Sequence, residues 1–475
     1  MDIFAVKLFV ILYHLRPHEW IGAVQSLRPA LITMIMALWG TANRERGFSW
    51  SLLFKTPHDW LMWAYLVWIV VSSPSPWATL QHCYSLFIYY FVIVLALSSV
   101  ERMKSFIRWW VIMLVVVSTL AIASQFGFDP THSHDITEGS MKGRLVFNVS
   151  IFENPNALGH SLVPALGITY LLFFWNRFFT IRAIAFPIWA ILGWCIFETQ
   201  SKGAFLSAFA TILAAVSFRR PIFVKVVLFA MAATVGWAAV KSLPRMTELN
   251  RPTAEGAIQG RVWVFTWGYD TYHRTWTGVG WMNFNKGFAT ASGFEKSPHS
   301  TYVAVGAELG KPGLFLLVSI LYVCYRTLLL AKTRDDEEER MRRVFFVLLL
   351  SFSVSSWMVG WSYRASFFML VATIAAFHRH MMNMNLEPAP AVAAGPGILN
   401  KPGNEPKPVE SRPAAKQLPE NDDGAKAIAS DTVAAKTIIP EPGIIWNKLT
   451  LKDLVFMLVL NYAVVRFWGY VIKHM

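Results

Sequence analysis

Apolar runs of near-spanning or spanning length follow one another along most of the chain, separated by short polar stretches. They lie near residues 2–14, 28–41, 59–73, 84–99, 106–124, 159–175, 181–198, 203–218, 222–241, 300–331, 344–359 and 365–379. A helix needs about 20 mostly apolar residues to cross the hydrocarbon of a bilayer. The pattern therefore predicts an all-α polytopic membrane protein with about twelve transmembrane helices. The run at 300–331 exceeds one straight crossing, and "AELGKPGLF" inside it predicts a tilt or a break between Gly310 and Gly313. Past residue 383 the pattern stops. Residues 384–442 are rich in Pro, Ala, Gly and Lys, cannot bury a core, and read as a disordered cytoplasmic linker. Residues 443–475 turn apolar again and read as an apolar or interfacial helix able to dock a partner. Residues 1–383 are then the transmembrane core, and the expectation is that this core suffices for any chemistry.

Charge fixes an orientation. The net charge of +14 would suggest nucleic acid in a soluble protein, but here the Lys and Arg residues sit in short loops between apolar runs, which excludes that reading. Arg44, Arg46 and Lys55, then Arg102, Lys104 and Arg108, then Arg177 and Arg182, then Arg219 and Arg220, then the 331–343 stretch fall in alternate loops. The positive-inside rule places those loops in the cytoplasm and the 242–299 loop on the outer side. Within that outer loop "GRVWVFTWGYDTYHRTW" has aromatic residues at helical spacing, which predicts an amphipathic helix lying on the membrane. No cleavage site of a secretory leader follows the first apolar run, so that run is expected to be retained. Cys83, Cys195 and Cys324 stand singly in or beside apolar runs and read as core residues. Neither a metal-ligand cluster nor a Gly-rich nucleotide loop is present, so no metal and no cofactor are expected.

The candidate chemistry gathers around the outer loop. His299 stands at the mouth of the 300–331 run, followed by Ser300, nine residues, Gly310, two residues and Gly313. Arg261 lies in "QGRVW", and the "TGVGWMNF" turn carries Gly278 and Gly280. Asn154 and Asn156 flank a proline in "FENPNALGH" at the start of a mid-chain span. Cations at an outer membrane interface suit a diphosphate, which they can hold and stabilise as a leaving group. A histidine there can take a proton from an acceptor hydroxyl or bond a phosphate oxygen. Bland readings stand beside these. His299 and Lys202 could be ordinary interfacial residues, Arg261 a snorkelling one, Asn154 and Asn156 helix caps, and His160 a packing contact. Glu308 needs a partner at membrane depth, and Lys311 is the nearest in sequence.

In order and loop placement these motifs resemble the bacterial O-antigen ligase family, grouped with the O-antigen polymerases in one superfamily. The resemblance covers roughly residues 85–380. It implies a glycosyltransferase C-type membrane architecture with a large helical periplasmic loop. It implies transfer of a glycan from a polyprenyl (undecaprenyl) diphosphate carrier to an acceptor hydroxyl of a lipid, a glycan or a protein, at the periplasmic face of a bacterial inner membrane. Ligase, polymerase and protein O-oligosaccharyltransferase activities all fit. On this view His299 and Arg261 are catalytic, with Arg261 opening the loop helix. Lys202, Arg144, Arg274 and Arg364 are further substrate-binding cations at the same level. One departure is "TQSKGAFLS", where Lys202 stands at the arginine of the usual Ser-Arg pair; lysine keeps the charge without the bidentate fork. From other classes, a lipid-linked glycan transporter would more often show internal repeats and charges at mid-membrane depth. An envelope-assembly scaffold would use the tail to dock a partner.

Overall fold

The structure, a computed structural model, describes the chain except residues 25–28, 46–49, 134–140, 219, 243–251, 385–442 and 445. The expected 384–442 linker thus lies, apart from Met384, outside the described residues. Among those described, the chain is helical and has no strand. In order the helices are α1 (Asp2–Leu15), α2 (Pro17–Trp20), α3 (Pro29–Arg44), α4 (Pro57–Val71), α5 (Pro76–Ala96), α6 (Val100–Ser124), α7 (Pro155–Thr169), α8 (Phe179–Glu198) and α9 (Lys202–Ser217). They continue as α10 (Ile222–Ser242), α11 (Pro252–Arg274), α12 (Phe284–Ser292), α13 (Thr301–Leu330), α14 (Asp336–Ser355), α15 (Ala365–Met384) and α16 (Leu451–His474). Among the described residues, six segments are long and apolar enough to cross a membrane: α5, α6, α7 continued to Phe174, α8, α13 and α16. The other expected runs fold as α1, α3, α4, α9, α10, α14 and α15.

The sequence sets most of these boundaries locally. Proline opens α4, α5 and α7, where its missing N–H costs nothing. Thr56 with Asp59 and Thr450 with Asp453 form capping boxes at α4 and α16. Ser99, Asn154, Ser201, Ser300 and Asp335 accept backbone N–H bonds at the starts of α6, α7, α9, α13 and α14.

One end of the bundle is knotted by ion pairs. Asp2 takes Arg44 and Arg102. Glu337 takes Lys104, Arg177 and Arg340, and Glu339 takes Arg342 and Arg343. His380 meets Glu338, and Lys55 reaches Asn383. The basic loops that the sequence assigned to a single side therefore meet at a single end. From that end α14 runs for 20 residues, about 30 Å, to Ser355 and Ser356. The Ser356 carbonyl there accepts the Thr301 N–H at 2.7 Å and the Ser300 hydroxyl at 3.2 Å.

Helix α13 is not a straight rod. Gly310 leaves helical geometry at φ 64°, ψ −157°. Tyr302 and Tyr325 both hydrogen-bond Ser353 of α14, one through its carbonyl and the other through its hydroxyl, each at 3.1 Å. A straight helix would hold those two tyrosines about 35 Å apart, so the chain turns sharply at Gly310. The turn frees carbonyls that a helix would have used, and the 275–280 loop satisfies them. Val279 N–H donates to Ala307 O at 3.0 Å and Gly280 N–H to Glu308 O at 2.8 Å. The Trp68 indole donates to Leu309 O at 2.8 Å. In return Lys311 N–H donates to Trp276 O at 3.1 Å.

The break also separates Glu308 from Lys311, correcting the pairing that their sequence spacing suggests. Glu308 Oε1 instead accepts the Phe284 N–H at 3.1 Å, capping α12. The Lys311 ammonium lies 5.7 Å from the Trp276 ring centroid, a cation–π contact.

Gly278 lies at φ 76°, and a Cβ there would overlap the Ala307 and Glu308 carbonyls. Gly278→Ala is therefore expected to destabilise the fold by about 1–3 kcal/mol. Gly193, in α8 with nothing within 4 Å of an added Cβ, is the control. Gly193→Ala should be neutral or slightly stabilising, and thermal unfolding in detergent compares the two.

Candidate active site at the His299 end of the bundle

The loop helix α11 buries Val264, Phe265, Thr271 and Tyr272, a stripe at helical spacing. That stripe packs on protein. Gly268 lies against Val303, Phe284 and Trp468, so the apolar face expected to lie on the membrane is covered by α13, α12 and α16. Arg261 does not open this helix. It stands well inside α11, which begins at Pro252, so the N-terminal N–H groups of α11 are spent before it.

Two elements meet at this end. Arg261 comes from α11. Lys296 comes from the strand-free segment after α12, and its side chain lies over Gly260, where any Cβ would collide with it. His299 follows three residues later at φ 47°, a left-handed conformation uncommon outside glycine and asparagine. The Ser300 and Thr301 bonds to the Ser356 carbonyl lie just beyond it and fix that backbone. Burial, with the Arg261 and Lys296 charges beside it, pushes the His299 imidazole down to about 4. The ring is neutral at neutral pH.

His160 joins this group, although its sequence position reads only as packing. It is buried in α7, bonds Ser355 Oγ through Nδ1 at 2.9 Å, and meets the Trp361 ring edge-on. Its Nε2 faces Gly203, 2.9 Å from where a Cβ would stand, and Arg261 is near enough to act on it electrostatically. Lys202 precedes Gly203 and is the first residue of α9, at a helix N-terminus that favours an anion. Gln200, two residues before it, is left-handed at φ 49°.

The remaining candidates fall into supporting roles or elsewhere. Arg144 is buried, donating from Nε to Thr199 O and from Nη2 to Asn156 Oδ1, both at 2.9 Å. It ties the start of α7 to the α8–α9 turn. Asn154 caps the Asn156 N–H at 2.9 Å. Arg274 is exposed at the far end of α11, about 20 Å from Arg261 along a helix. Arg364 donates to Ile151 O at 3.1 Å and lines a separate cleft of about 500 Å³ with Arg16, His18 and Tyr84. Gly278, Gly280 and Gly310 belong to the interlocked break, and Gly313 packs on Leu309. Lys296 was missed by motif reading; its signal was three-residue spacing from His299 in "EKSPHS". Among the described residues no group of three or more His, Cys, Asp or Glu is placed to hold a metal ion.

Among the described residues the fold is helical with segments able to cross a membrane, and its polar centre sets Arg261 and Lys296 beside a neutral histidine. Residues 186–318 match the family model described as O-antigen ligase, a domain of the O-antigen ligase/polymerase superfamily. Members of that family are membrane glycosyltransferase-type enzymes. The matched region contains Lys202, Arg261, Lys296 and His299; Arg144, His160 and Arg364 lie outside it. No curated protein matches the chain.

Proposed function

We propose that the chain transfers a glycan from a polyprenyl diphosphate carrier to an acceptor hydroxyl, as an O-antigen ligase does, on the periplasmic face of a bacterial inner membrane. The observation that carries this reading is the convergence of Arg261, Lys296 and neutral His299 at one end of the bundle. What supports the sidedness is the ion-paired end, which holds the basic loops that the positive-inside rule favours in the cytoplasm. The His299 end is the opposite one.

The step balances with these residues. His299 takes the acceptor hydroxyl proton, and the oxygen forms a bond to the anomeric carbon. The carbon–oxygen bond to the diphosphate breaks, and the diphosphate leaves with the electron pair. Arg261 and Lys296 take up its growing charge, with Lys202 at the α9 N-terminus as a further contact. The activated donor supplies the energy.

The imidazole is a weak base while the two cations face it uncompensated by substrate. A bound diphosphate offsets them and raises its pKa. The free protein should therefore keep kcat/KM level down to about pH 4, because protonation below that value removes the base. The acid limb of kcat, which reports the donor complex, should lie at higher pH. Coincident limbs would remove His299 as the group that titrates.

The test is transfer by the purified protein in lipid vesicles, given a polyprenyl-diphosphate glycan and, separately, a lipid A core, a glycan and a hydroxyl-bearing peptide. The expected result is transfer to one of them with release of polyprenyl diphosphate. Movement of intact donor across the vesicle, without cleavage, would make the protein a transporter instead.

A further inference from the structure

Helix α16 touches the core at few points. Its buried residues are Asp453, Met457, Val465 and Trp468, while Leu454, Val455, Phe456, Leu458, Val459 and Tyr462 face outward. One pin is Asp453, which pairs with Arg326 and accepts the Tyr322 hydroxyl at 2.7 Å. Just before it the chain is fastened at the ion-paired end. Gly443 pairs with Lys332, Ile444 N–H donates to Met381 O, and Arg326 stacks over Trp446 at 4.4 Å. From there α16 runs for 24 residues, about 36 Å, to the end that holds His299.

The other pin is Trp468, whose side chain is fully buried. Two glycines leave room for it, and a third beside it leaves room for Tyr269. A Cβ on Gly306 would stand 2.9 Å from the indole, one on Gly268 3.2 Å, and one on Gly469 would meet the Tyr269 hydroxyl at 3.2 Å. The Tyr269 and Tyr272 rings flank the slot. The indole N–H donates to Phe265 O at 3.2 Å. Phe265 is one helical turn from Arg261.

We propose that α16 is a working part of the active centre, with Trp468 as the positioning residue that braces α11 against α13 and so sets Arg261 beside His299. This rests on the transfer reading for its catalytic consequence, though the brace itself does not. On this view residues 1–383 alone do not complete the active centre.

The test compares full-length wild type with Trp468→Ala, Trp468→Phe and Gly306→Ala, with Leu458→Ala on the outward face of α16 as control. Backbone hydrogen exchange of residues 259–274 reads the brace without reference to activity. Trp468→Ala and Gly306→Ala should each speed it by about tenfold or more, and Trp468→Phe, which keeps the ring, by much less. Leu458→Ala should match wild type. In the transfer assay the first two should lower kcat with donor KM rising in step, the signature of a displaced Arg261, and Trp468→Phe should recover most of the rate. Unchanged exchange in Trp468→Ala overturns the brace, and Gly306→Ala decides the same point if Trp468→Ala does not fold. Loosened α11 with unchanged turnover overturns the positioning role. A wild type inactive toward every acceptor, with the exchange pattern as expected, overturns the transfer reading and leaves the brace.

Discussion

Replacing His299 with alanine should cut glycan turnover by about 100-fold or more, the usual range for a lost general base, and leave donor affinity nearly unchanged. The reason is the division of labour at this end of the bundle. The imidazole is neutral and so contributes little to holding a diphosphate. Its use is proton transfer, felt only once the acceptor hydroxyl attacks. Steady-state turnover at saturating donor, beside donor binding at equilibrium, separates the two roles. A His299→Ala protein that binds donor poorly yet turns over normally when saturated would make the histidine a phosphate-binding group.

Arg261→Ala should act on both quantities. A guanidinium on the diphosphate strengthens its contact as the leaving group gains charge, so binding weakens and the transition state loses more than the ground state does. The expected loss in kcat/KM is about 100- to 1,000-fold, comparable to removing a preorganised donor from an oxyanion site. Arg261→Lys should recover part of it, because the charge remains but the planar fork is lost. The neutral change has a second consequence. His299 and His160 both feel Arg261, so its removal should raise the His299 pKa and move the acid limb of kcat/KM upward. Full recovery of rate by lysine would mean that point charge, without bidentate contact, is all the step requires.

Much of this arrangement is legible in the order of residues. The apolar runs give the helices, because burial in a membrane demands continuous hydrogen-bonded backbone. The alternate basic loops give the end at which Asp2, Glu337 and Glu339 gather their arginines. "ELGKPG" gives the break in α13. What the sequence does not show depends on contacts between distant segments. The sharp turn at Gly310 is stabilised by carbonyls of one segment and N–H groups of another, which local propensity does not contain. It sends Glu308 to α12 and Lys311 to Trp276, against their spacing. Arg274 looks equivalent to Arg261 in a loop, yet the rise of a continuous helix carries it away. Trp468 and Phe265 lie 203 residues apart, with a low-complexity segment between them, so the helix that braces α11 reads as a detached tail.

The most direct measurement is equilibrium binding of a polyprenyl diphosphate, without glycan, to the full-length protein in nanodiscs. Wild type, Arg261→Ala, Lys296→Ala and His299→Ala are compared under one salt condition. The expected result is that both cation variants bind about tenfold or more weaker, in line with a lost charge-assisted contact, while His299→Ala stays within about threefold of wild type. Equal affinity in all four proteins would mean that the diphosphate does not sit at this end of the bundle.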